Sequence, residues 1–242
     1  MKFTPIYYVC IACPTVEKTT EMIDRYVERG ATAFQIDMPS KDPFAETEFV
    51  KGMMKDTLDS IPDYDHYMDA ICRIREKHPN LEIHIVVYDD VIDSIGLEKF
   101  CAFIQKINAA SIMVPGITPE HRAYAEGLGI EVFRSTTHEM SDEQIDFCAA
   151  AKEGSYICLR NKKPGEVDRP GYETWEKKYA LMRERGVKGN IYSVFGIKTK
   201  EELAAVKKTG ARGAIIGNVL MRLWNDEEKL WKLLDDFQSL AE

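Results

Sequence analysis

Asn190-Ile191-Tyr192-Ser193-Val194-Phe195-Gly196 and, one helix length later, Gly213-Ala214-Ile215-Ile216-Gly217-Asn218 decide how the chain is read. Each is a short apolar, β-branched run ending at glycine, the pattern of a strand buried on both faces. Residues 200–209 between them carry helical spacing. A strand, a helix and a second strand so closely spaced make a parallel, right-handed crossover unit.

The same unit recurs along the chain. Strands are predicted over residues 6–12, 33–38, 82–88, 111–114, 131–133, 156–159, 190–195 and 213–216. Helices are predicted over 16–29, 49–60, 66–77, 97–107, 119–126, 142–151, 175–185, 200–209 and 227–240. The first helix shows the apolar spacing Met22, Ile23, Tyr26, Val27 and closes at Gly30, and His78-Pro79 stops the helix at 66–77. Residues 39–65 form an insertion after the second strand. Eight strands, each followed by a helix, predict an α/β fold, a single (β/α)8 TIM barrel over 1–242. An open doubly wound sheet, the competing fold, has fewer strands.

Composition narrows the partners. The formal charge of -8 argues against nucleic acid, because binding a phosphate backbone needs a basic face. Apolar runs fall short of the roughly 18 residues a membrane span needs, and residues 1–8 lack a leader's apolar core. A cytoplasmic protein with no membrane partner is expected. Six cysteines in apolar contexts predict reduced, packed thiols. Cys10 and Cys13 form a C-x-x-C, but no second pair follows at zinc spacing, so neither a metal nor a cofactor is expected.

In such barrels the loops after strands seven and eight, with a short extra helix, commonly hold phosphate. Here those loops carry Gly196 and Gly217-Asn218, followed by a predicted helical run at 219–223. Backbone N–H groups at these positions can hold a dianion without net positive charge. The loop after strand six, Arg160-Asn161-Lys162-Lys163-Pro164-Gly165, adds three cations at the same end of the strands. It reads equally as a solvated loop and as a lid over an anion.

From Pro14 to Leu223 the order of motifs resembles the tryptophan synthase alpha chain family. The matching residues are Arg29-Gly30-Ala31, Met38-Pro39-Ser40-Lys41-Asp42-Pro43-Phe44-Ala45-Glu46, Phe195-Gly196-Ile197 and Gly213-Ala214-Ile215-Ile216-Gly217. The resemblance implies retro-aldol cleavage of a phosphorylated small molecule, indole-3-glycerol phosphate or a related substrate, and a tryptophan synthase beta-type subunit as partner. It places the substrate phosphate at Gly165, Gly196, Gly217 and Asn218, and a tyrosine near the scissile bond at Tyr156.

The chain departs from the family at the catalytic carboxylates. The position of the proton-moving acid is Gln35, and that of the acid facing the indole N–H is Glu46 instead of aspartate. An amide takes up no proton near neutral pH, so Gln35 is no general base. Asp37 shares the strand face of Gln35 and stands where the family has glycine. It reads as a relocated base or as a structural carboxylate. Lys41, Asp42, Asp89, Asp90 and His138 are further acids and bases expected near the strand ends. Two functions follow: a carbon–carbon lyase, or a non-catalytic phospholigand-binding or regulatory subunit that lost its base.

Overall fold

The computed structural model describes residues 2–163 and 165–241. Its strands are Thr4–Cys10 (β1), Ala33–Asp37 (β2), Glu82–Val86 (β3), Ser111–Met113 (β4), Arg134–Thr136 (β5), Tyr156–Arg160 (β6), Asn190–Val194 (β7) and Gly213–Ile216 (β8). Its helices are Val16–Glu28 (α1), Glu48–Ser60 (α2), Tyr64–Lys77 (α3), Asp89–Ile95 (α4), Leu97–Lys106 (α5), Pro119–Gly127 (α6), Asp142–Ala149 (α7), Trp175–Glu184 (α8), Lys200–Lys208 (α9) and Glu227–Gln238 (α10). The strands form one sheet in the order β4-β3-β2-β1-β8-β7-β6-β5, and every resolved ladder is parallel. Alternating strands and helices in this order make the (β/α)8 barrel fold.

Side-chain caps set most helix starts. Thr15, Thr47, Asp63, Thr118, Ser141, Thr174, Thr199 and Asp226 each accept a backbone N–H of the helix they precede. Each such cap contributes about 1 kcal/mol. Thr199 and Glu202 complete a reciprocal capping box.

The described residues divide into two compact units, one of them Tyr8–Val132. There β2 pairs with β3 and β3 with β4, so Gln35 lies opposite His84 and Asp37 opposite Val86. Phe34 packs on Tyr26 of α1 at 6.1 Å, which turns Phe34 and Ile36 toward the helices. Gln35 and Asp37 therefore occupy the opposite face, as strand periodicity requires. Val132 bridges Ile112 of β4.

In the other unit, residues Thr4 to Tyr7 of β1 pair with β8, and β8, β7, β6 and β5 follow as neighbours. Gly213 is required at the β1–β8 seam, because a Cβ there would lie 2.1 Å from the Thr4 carbonyl.

Three expectations need correction. The fifth strand is Arg134–Thr136 instead of 131–133, because the ladder with β6 forms at Arg134-Ser135-Thr136. Arg134 looks like a loop residue, yet it stacks on Phe147 at 4.5 Å and donates to its carbonyl at 2.7 Å. The short helix α4 was not expected, and it begins at Asp89 and Asp90, whose charges favour the positive end of the helix. The predicted run at 219–223 is a single 3-10 turn, Met221–Leu223, whose dipole is correspondingly small.

Candidate functional site

In the unit Tyr8–Val132, Asp37 ends β2 with its carboxylate wholly buried. The Tyr8 hydroxyl donates to Asp37 Oδ2 at 2.7 Å, while Oδ1 has no hydrogen-bond partner among the described residues. Burial raises the Asp37 pKa well above the carboxylate range, and the negative charge of Glu46 raises it further. The Tyr8 bond acts in the opposite sense and is outweighed. Tyr8 and Tyr88 are pushed upward as well, by burial first and then by Asp37 and Glu46. Both phenols therefore stay protonated near neutral pH.

Gln35 is buried on the same face and directs its amide to Met113 Sδ at 3.5 Å. Glu46, in the turn before α2, is half-buried, and its charge is felt at Asp37, Tyr8 and Tyr88. Asp37 and Glu46 come together with Tyr8 and Tyr88, two phenols that sequence reading missed, while Gln35 shares the strand face of Asp37. The signal of the two phenols is weak, because a tyrosine in an apolar strand reads as core.

The other acids have structural partners. Asp90 accepts from Ser40 Oγ at 2.8 Å and from the Lys41 backbone at 3.0 Å, which holds the turn after β2. Asp89 accepts from the Thr118 backbone at 3.0 Å and faces His121 at 3.1 Å. Lys41 and Asp42 are exposed. Cys10 and Cys13 are buried free thiols with their sulfurs 2.8 Å apart, and burial raises the Cys10 pKa.

In the other unit, Phe195 and Gly196 follow β7 with φ of 68° and 73°. A positive φ at phenylalanine is costly, and such backbone strain marks positions held for a purpose. Gly217 follows β8, and a Cβ there would meet nothing within 4 Å. The same holds for Gly165, at φ 89°. Asn218 Oδ1 accepts from Arg222 Nε at 3.0 Å, which brings a guanidinium beside the turn. Arg222 was not anticipated from sequence.

Tyr156 begins β6 and stacks on Tyr192 at 5.4 Å, with Phe133 5.3 Å away. It therefore stands four residues before Arg160, which ends the same strand. His138 Nδ1 lies 2.6 Å from Arg160 Nη2. A 480 Å3 groove lined by Glu139, Asp142, Asp168 and Arg169 lies in this unit, and none of the expected site residues lines it.

A sequence model described as tryptophan synthase alpha chain matches residues 2–240. The chain belongs to the tryptophan synthase alpha chain family. Among curated relatives, the tryptophan synthase alpha chain of Corynebacterium efficiens is 25% identical over 220 residues, covering 89% of this chain and 79% of the relative. That of Aliivibrio fischeri is 26% identical over 247 residues, covering 96% and 89%. The chain is thus a divergent tryptophan synthase alpha chain relative that spans most of the length of these proteins. A chain of the tryptophan synthase complex from Pyrococcus furiosus superposes with a TM-score of 0.81 at 19% identity, covering 98% of both chains. A structure from Aquifex aeolicus superposes at 0.83 and 19% identity, covering 100% of this chain and 94% of the other. These structures support the barrel of the tryptophan synthase alpha chain family. No helix among the described residues is long and apolar enough to cross a membrane.

Proposed function

We propose that the protein is a carbon–carbon lyase that cleaves a phosphorylated small molecule, indole-3-glycerol phosphate or a related substrate, with Asp37 in place of the family's proton-moving acid. The observation that carries this reading is the buried Asp37 carboxylate, oriented by Tyr8, with no side-chain partner for Oδ1 among the described residues. A carboxylate that holds its proton more tightly than usual is suited to proton transfer near neutral pH.

In the retro-aldol step, ionised Asp37 removes the proton of the substrate hydroxyl next to the breaking bond. The hydroxyl oxygen becomes a carbonyl, and the carbon–carbon bonding pair stays on the departing carbon. Where the departing carbon belongs to an indole ring, it takes up a proton before the bond breaks, so that the ring accepts the bonding pair, and atoms and charge balance with no co-reactant. By resemblance, Glu46 accepts a hydrogen bond from the substrate ring and Tyr156 lies near the scissile bond. Gln35 provides a neutral amide. The backbone at Gly165, Gly196, Gly217 and Asn218 holds the phosphate, with no cofactor in the reaction.

A tryptophan synthase beta-type subunit is the proposed partner. Solved relatives include a tryptophan synthase α2β2 complex from Pyrococcus furiosus. Phe44, in the turn after β2, is 57% exposed and offers an apolar contact. The soluble biosynthetic character of the family supports a cytoplasmic location.

The deciding assay is indole-3-glycerol phosphate cleavage by wild type, Asp37→Asn and Gln35→Glu. Activity in the wild type, lost in Asp37→Asn, is expected. An inactive wild type with activity appearing in Gln35→Glu overturns the role of Asp37 and identifies a binding subunit that lost its base.

A further inference from the structure

Asn161 is the first residue after β6, and its backbone N–H donates to the Val194 carbonyl of β7 at 2.9 Å, which seats it beside the Phe195-Gly196 turn. Its side chain continues toward that turn. Nδ2 lies 3.1 Å from where a Cβ would stand on Gly196, nearer than Cγ at 4.0 Å, so the amino end of the amide leads. At the other end, Oδ1 accepts from Lys178 Nζ at 3.0 Å. An ammonium has donors only, so it admits the amide in this one orientation. None of the described residues accepts from Nδ2.

Behind the amide is an ion cluster that the cleavage chemistry does not use. Lys178 is fully buried in α8, and its Nζ also donates to Asp168 Oδ1 at 2.6 Å. Asp168 is buried as well, and Lys162 Nζ lies 3.4 Å from its Oδ2. Two ammonium groups thus share one carboxylate, which leaves one positive charge in excess. A buried ion pair gives little net stability, because desolvation of both charges offsets their attraction. What it gives here is direction, since Asp168 holds Lys178 and Lys178 holds Asn161. A cation on Oδ1 also polarises the amide, which makes the N–H groups of Nδ2 better donors.

We infer that Asn161 is a side-chain ligand of the substrate phosphate: Nδ2 donates to a phosphoryl oxygen at the Gly196 turn, in an orientation set by Lys178 and Asp168. This role rests on the phosphate reading above and deepens it, adding one aimed side-chain donor to the backbone donors at Gly196 and Gly217. The excess charge of the lysine cluster also favours an anion locally in a chain whose net charge is -8. Asn161 touches the ligand, and Lys178 and Asp168 are positioning residues.

The test is calorimetric titration of the full chain with glycerol 3-phosphate, with a thermal melt of each variant. The wild type is expected to bind the probe. Asn161→Ser carries a hydroxyl too short to serve both Lys178 and the ligand, and a loss of affinity of about tenfold is expected, the worth of one hydrogen bond to a charged group. Asn161→Asp keeps an acceptor for Lys178, so its melting temperature is not expected to fall. It sets a carboxylate against the phosphate, and its loss of affinity is expected to exceed that of Asn161→Ser. Wild-type affinity in either variant overturns the role of Asn161 and leaves the phosphate reading standing. Losses of affinity that come only with a fall in the melting temperature of both variants assign Asn161 a structural role and overturn it too. A wild type that does not bind glycerol 3-phosphate overturns the phosphate reading itself, and the role of Asn161 with it.

Discussion

The Tyr8 hydroxyl and Asp37 Oδ2 are joined by a buried 2.7 Å hydrogen bond between neighbouring strands of the barrel. This bond fixes the direction of Asp37 and lowers its proton affinity against the larger effects of burial and Glu46. Tyr8→Phe removes the only one of these side-chain contributions that favours ionised Asp37. The acid limb of the kcat/KM profile for cleavage is expected to move to higher pH. A limb that stays in place would show that Asp37 does not carry the proton.

The same shift makes a stability prediction that is independent of catalysis. Folded Asp37 holds a proton at pH values where the unfolded chain has already lost it. Its stabilising contribution is complete below about pH 4, the unfolded value, and is lost as pH rises toward the folded value. Wild type is therefore expected to lose stability relative to Asp37→Asn as pH rises from about 4. Urea denaturation of both proteins across pH 4–8 reads the difference, and a constant gap between them is the contrary result.

Lys178 of α8 is fully buried, with Nζ 2.6 Å from Asp168 Oδ1 and 3.0 Å from Asn161 Oδ1. This pair ties the loop after β6 to the helix beneath it. Lys178→Met leaves Asp168 buried without its closest cation. A loss of about 3–5 kcal/mol in denaturant unfolding is expected. Because Lys162 approaches Asp168 Oδ2 at 3.4 Å, a loss under 1 kcal/mol would mean that Lys162 takes over.

Two glycines are expected to respond to alanine in opposite directions. Gly52 is exposed inside α2, and a Cβ there meets nothing within 4 Å. Gly52→Ala is expected to stabilise by about 0.5–1 kcal/mol. Gly213→Ala forces a methyl group against the Thr4 carbonyl and to 3.0 Å from the Tyr192 ring. A loss of at least about 1–3 kcal/mol is expected, and thermal melts of the two variants compare them directly.

The barrel was legible because it rests on local signals. An apolar run such as 213–216, and capping residues such as Thr15 and Thr199, report their own backbone state without distant partners. Arg134-Ser135-Thr136 was misplaced because its strand state comes from the ladder to β6, a contact distant in sequence. The short helix at Asp89 was missed because a seven-residue segment is too brief to display helical periodicity.

For the site, strand periodicity alone placed Asp37 on the face of Gln35, and the glycines after β7 and β8 were marked by their positions in the pattern. The sequence by itself determined the order of strands and helices and the absence of a base at Gln35. Only the tertiary structure decided that Asp37 is buried against Tyr8 and that Glu166 pairs with Arg160 Nη2. Periodicity is a property of neighbouring residues, whereas proton affinity and ion pairing depend on which groups, far apart in the chain, share one desolvated space.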